Sequence, residues 1–195
     1  MTDSGNQTRD YATFQAHLMD ACRQAVAQLR EKHAGETFYT FVLTRSPLCD
    51  WVDLNGCTEE GIARVIARYR SEGDTEPDLD LRLRWSPGDY PVERQVSEDM
   101  AAHPVTDSAD EIASVVEELL NAEGWEGEGF QRAVDEFADA CVLALQALDS
   151  EGLFGQGEER AKVLVNLVLP DEEGASRLAT AKRLNPAESW QAYRP

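Results

Sequence analysis

The sequence predicts an α/β (α+β) domain, a single mixed sheet of about four strands packed by about five helices. Two runs, Thr37–Leu43 and Lys162–Leu169, are apolar on both faces, as strands covered on both sides must be. Amphipathic segments of helical period separate and flank them. The 195 residues are 42% apolar and include four Trp, enough for one buried core with no linker to divide it. Residues 1–9 read as a flexible tail and 10–195 as the domain.

From Asp10 to His33, the residues Tyr11, Phe14, Leu18, Cys22, Ala25, Val26 and Leu29 recur at helical spacing, and Gly35 ends that helix. Thr37–Leu43 follows as a central strand. Asp50–Leu54 reads as a short second strand closed by an Asn55-Gly56 turn. Thr58 caps the next helix, Glu59 and Glu60 suit its positive end, and Ile62, Val65, Ile66 and Tyr69 form its stripe. In Asp78–Trp85, Leu79, Leu81, Leu83 and Trp85 alternate with Asp78, Asp80, Arg82 and Arg84, the pattern of a half-exposed strand. Ser108 and Glu111 make a capping box for a helix that ends near Ala122. The acidic, glycine-rich loop Glu123–Gly129 leads into a long helix, Phe130 to Leu148. Leu153-Phe154-Gly155 reads as a packed turn, Lys162–Leu169 as the last strand and Glu173–Arg183 as the last helix.

The charge is large and uneven. The net is -19, from 37 acidic and 18 basic residues, and between Gln95 and Glu159 the only base is Arg132. Such a field repels nucleic acid and anionic membranes and attracts cationic surfaces. Glu111, Glu117, Glu118, Glu123, Glu126, Glu128, Asp135, Glu136 and Asp139 lie on two consecutive helices and their connection. Their apolar neighbours face the core, so these carboxylates should share an outer surface, either one that docks a basic protein or one that is merely solvated. No stretch approaches the roughly 20 apolar residues needed to span a bilayer. Met1–Asp10 is polar and lacks an apolar signal core, so the expected location is the cytoplasm. The thiols Cys22, Cys49, Cys57 and Cys141 should accordingly be reduced.

Motifs for chemistry are absent from the sequence. His17, His33 and His103 share no metal-ligand spacing, and there is no H-E-x-x-H, G-x-S-x-G or P-loop. Gly124, Gly127 and Gly129 precede a helix but follow no strand, unlike a dinucleotide fingerprint. Asp171, Glu172 and Glu173 stand between a strand and a helix, where they either ligate a hard cation or complement the helix end. The expectation is a protein without catalytic residues, metal or cofactor, and not an enzyme. The one site-like group is Trp51, Asp53, Arg84 and Trp85, a ligand surface if their two strands are neighbours. Otherwise both Trp residues are core and Asp53 pairs with Arg84.

Thr37-Phe38-Tyr39, Cys57-Thr58-Glu59-Glu60, Arg84-Trp85-Ser86, Gly152-Leu153-Phe154-Gly155 and Leu184-Asn185-Pro186 occur in that order. Together they resemble the uncharacterised bacterial family catalogued as domain of unknown function 4303, across about Asp10 to Pro186. The resemblance implies a small bacterial α/β domain and brings no catalytic residues with it. Small acidic families of this kind often act as immunity proteins beside secreted toxins, an analogy rather than a derivation. The resulting expectation is an immunity protein (antitoxin) that binds a cognate, basic-faced toxin through the acidic helices, with neither nucleic acid nor membrane as partner. The alternative is a small-molecule-binding domain or enzyme using the Trp/Arg surface.

Overall fold

The computed structural model describes residues 10–86, 104–170, 172, 174–191 and 193. The tail 1–9, His103, Asp171 and Glu173 lie outside these residues. The Asp10 carboxylate accepts the Thr13 N–H at 2.9 Å and starts helix α1 (Tyr11–Lys32). Its buried stripe runs from Phe14 to Leu29, and Gly35, at φ 90°, turns the chain in the left-handed region that glycine enters freely. Strand β1 (Phe38–Arg45) is central, with β2 (Val52–Thr58) antiparallel on one side and β3 (Leu164–Val168) parallel on the other. The remaining helices are α2 (Glu59–Ser71), α3 (Leu79–Arg84), α4 (Pro104–Glu123), α5 (Glu128–Ser150), α6 (Gly157–Ala161), α7 (Gly174–Leu184) and α8 (Ala187–Trp190).

The described sheet therefore has three strands rather than about four, because the expected strand Asp78–Trp85 is helical. Its alternation holds a second pattern: Leu79 and Leu83 stand four apart, both are fully buried, and Leu81 is left exposed. The segment has no β-branched residue, and Leu and Arg are good helix formers. Asn55-Gly56 also makes no turn; both residues pair inside β2, Gly56 with Phe41. Glycine is needed there for space, since a Cβ would sit 3.0 Å from the Phe38 ring and 3.2 Å from the Phe41 ring. The chain reverses earlier, at 46–51, where Cys49 takes φ 63°. The Ser108–Glu111 capping box is not at a helix start either. Helix α4 begins at Pro104, and the Ser108 hydroxyl donates back to the Pro104 carbonyl at 3.0 Å.

Both faces of the sheet are covered. On one, α1, α4 and α5 build the larger core, with Phe14 against Phe137 (4.8 Å between ring centroids) and Phe41 against Phe154 (5.5 Å). On the other, Tyr39, Val42 and Leu164 meet Ile62 and Val65 of α2, Leu79 and Leu83 of α3, Ala181 of α7 and Tyr193. Helix α4 packs on α1 and α5, which turns its acidic side outward.

On the outer edge of β3, side chains take the place of a partner strand: Asn166 accepts the Leu167 N–H at 3.0 Å, and Asn185 serves Val165. The Asn185 amide accepts the Val165 N–H at 2.7 Å and donates to the Val165 carbonyl at 2.5 Å and the Ala181 carbonyl at 2.7 Å. Buried Arg160 joins it at 3.0 Å and also reaches Asp149 and the Val163 and Leu184 carbonyls. Among the described residues no fourth strand meets this edge, and these side chains satisfy its backbone groups instead.

Candidate functional site

The acidic surface is carried by α4, the connection after it and the first turns of α5. Glu111, Glu117, Glu118, Glu126, Glu128 and Asp135 are exposed, and no Lys or Arg among the described residues pairs with them. Elsewhere the exposed carboxylates are commonly engaged: Asp20 and Glu151 by Arg23, Glu59 by Arg84, Asp80 by Arg70. Three of the foreseen residues differ from the rest. Glu123 accepts the Gly129 N–H at 2.7 Å and so caps α5 from outside. Asp139 pairs with Arg183 at 2.8 Å, and Glu136 is half-buried. Amid the unpaired carboxylates stands Trp125, 57% exposed, held edge-on by Phe130 and by a 2.6 Å bond from Gln131 to its carbonyl. Leu143 is exposed two turns beyond Asp135 on the same helix side.

Trp51, Asp53, Arg84 and Trp85 do not form one surface. Asp53 pairs across the sheet with Thr44, and Trp51 is exposed before β2. Helix α3 docks at the other end of the hairpin, roughly 17 Å further along β2 at ~3.4 Å per residue. There the Arg84 guanidinium grips Glu59, not Asp53, with bonds of 2.7 and 2.5 Å and lies 4.0 Å from the Tyr39 ring. Trp85 is core, standing edge-on to Tyr39 and Tyr193.

Four of the five motifs behind the resemblance converge where β1 begins and β2 ends. Glu60 accepts the Thr37 N–H at 2.8 Å; Thr58 caps α2 and donates to Glu36; Tyr39 donates to the Arg84 carbonyl at 2.9 Å; Phe154 packs on Phe41. Glu36 is the hub. Arg64, at 2.9 Å, and the Thr58 hydroxyl hold its carboxyl down at about 2. Beside it opens a cleft of about 360 Å³, lined by Arg30, His33, Glu36, Phe38, Glu159 and Lys162 among others. Sequence reading missed this cleft, since its walls come from segments more than a hundred residues apart that share no motif. It also missed Trp125, whose one signal was a Trp within a Glu/Gly-rich loop.

The described residues offer little to a covalent mechanism. His17 Nδ1 lies 2.6 Å from Ser108 Oγ, a hydroxyl that also lies 3.0 Å from the Pro104 carbonyl within its own helix. All four thiols are free and buried; burial pushes Cys22 up to about 12 and Cys57 up to about 11, away from thiolate chemistry. Among the described residues no group of three or more His, Cys, Asp or Glu is placed to hold a metal ion, and no helix is long and apolar enough to cross a membrane. Glu172 serves α7, accepting from Ser176 at 2.5 Å and from the Leu169 N–H at 3.2 Å.

A three-stranded mixed sheet covered by helices on both faces defines an α+β domain. The family described as Domain of unknown function (DUF4303) matches residues 18–186, and the chain belongs to it. No curated protein and no solved structure matches the chain.

Proposed function

We propose that this protein works by binding rather than catalysis, as a cytoplasmic immunity protein that neutralises a basic-faced toxin through the α4–α5 surface. The observation that supports this most is Trp125, a large, firmly held indole exposed among carboxylates that no base among the described residues pairs. Stable interfaces combine a few aromatic anchors with a polar rim, and Trp is the residue most enriched among their energetic centres. The carboxylates raise the encounter rate with a cationic partner and repel nucleic acid, while a toxin that acts on nucleic acid carries a basic face by necessity. A partner would also relieve the mutual repulsion of Glu117, Glu118, Glu126, Glu128 and Asp135.

The experiment uses cells expressing a toxic protein encoded beside this chain, with and without the chain. Protection should be lost on Glu117→Lys/Glu118→Lys/Asp135→Lys and on Trp125→Ala, with circular dichroism unchanged. Affinity for the purified toxin should fall steeply with salt. Full protection by both variants, or a salt-independent affinity, would sink the proposal.

A further inference from the structure

We infer that the cleft between the end of α1, the start of β1 and α6 binds a free α-amino acid with a large apolar side chain. This goes beyond the toxin-binding reading and uses a different part of the molecule. The floor is apolar: half-buried Phe38 faces the cleft, backed by fully buried Phe41 at 5.0 Å between ring centroids and by buried Val163. Around that floor stand charges of both signs. Arg30 and Lys162 have no carboxylate partner among the described residues, in a chain with twice as many acids as bases. Glu159 also has no basic partner there, although Lys162 follows it three residues later in the same wall. Glu36 differs, because Arg64, Thr58 and His33 engage its carboxylate.

The charges left to a ligand are therefore two cations and one anion around an aromatic surface. A guanidinium and an ammonium facing one cleft recognise a carboxylate. A carboxylate beside the carbonyl end of α1 recognises an ammonium, since helix C-termini favour positive charge. The apolar floor takes the side chain. A simple carboxylate would leave Glu159 unused, and a dianion would face repulsion from it. The volume, about 360 Å³, suits a molecule of amino-acid size.

Binding of L-phenylalanine and L-leucine to the full chain is measured by amide NMR titration, with phenylacetate and phenethylamine as probes lacking one charge each. The expected result is shifts at 33–38 and 159–163, with each single-charge probe at least about tenfold weaker, the loss of one charge-assisted contact. Lys162→Gln should weaken phenylalanine and phenylacetate but not phenethylamine, and Glu159→Gln the converse pair. Both side chains are exposed, so neither change threatens the fold. No shift with either amino acid at 10 mM, or equal binding of phenylacetate and phenylalanine, overturns the inference.

Discussion

Replacing Asn185 by alanine deletes four hydrogen bonds with one side chain. Two serve Val165, 1% exposed, whose N–H and carbonyl face the outer edge of β3 and meet no fourth strand among the described residues. The others serve Ala181 and Arg160, and Arg160 keeps Asp149 and two backbone carbonyls without Asn185. An orphaned buried N–H costs about 1–3 kcal/mol, and each of the two lost carbonyl bonds about 0.5–1.5, so Asn185→Ala should destabilise by roughly 2–6 kcal/mol. That is a large share of a typical total of about 5–15 kcal/mol. Urea unfolding followed by circular dichroism gives the loss, and hydrogen exchange at the Val165 amide locates it. Asn121→Ala, the same deletion on the exposed side of α4, should leave stability unchanged or slightly raised. A loss under about 1 kcal/mol with Val165 protection intact would refute the idea that Asn185 stands in for a strand.

Two further outcomes test the fold around the candidate sites. The Glu36 carboxyl titrates at about 2 when folded and near 4.5 when unfolded, so its stabilising effect is complete above about pH 4.5 and lost as pH falls through about 2. Melting temperatures of Glu36→Gln and the parent chain should therefore differ at neutral pH and converge in strong acid; a pH-independent gap contradicts this. Gly56→Ala pushes a methyl against Phe38, Phe41 and Leu29 and should cost about 1–3 kcal/mol by chemical denaturation, whereas a turn glycine free of contacts would cost less.

The element types that depend on local period were legible in the residues. The α1 stripe, the two doubly apolar strands, the Thr58 cap and the packed turn at Phe154 all follow from side-chain spacing and hydrogen-bonding capacity. Asp78–Trp85 was ambiguous because four leucine-spaced residues satisfy both a period of two and an i, i+4 pair; the fit of Leu79 and Leu83 against α2 and β1 settled it. The charge surplus of Gln95–Glu159 was plain, but not which carboxylates have partners, because Arg183 meets Asp139 from 44 residues away.

Composition and periodicity by themselves determined that the chain folds as an α+β domain around a doubly covered strand, and that its acid excess sits on the helices that precede the last strand. Only the tertiary structure decided that Trp125 is left outside, that Arg84 serves Glu59 rather than Asp53, and that Arg30, Glu159 and Lys162 share a cleft with Phe38. The physical reason is range. Period and capping act within one or two turns of chain, whereas exposure, ion pairing and cleft walls depend on which distant segments the packing brings together.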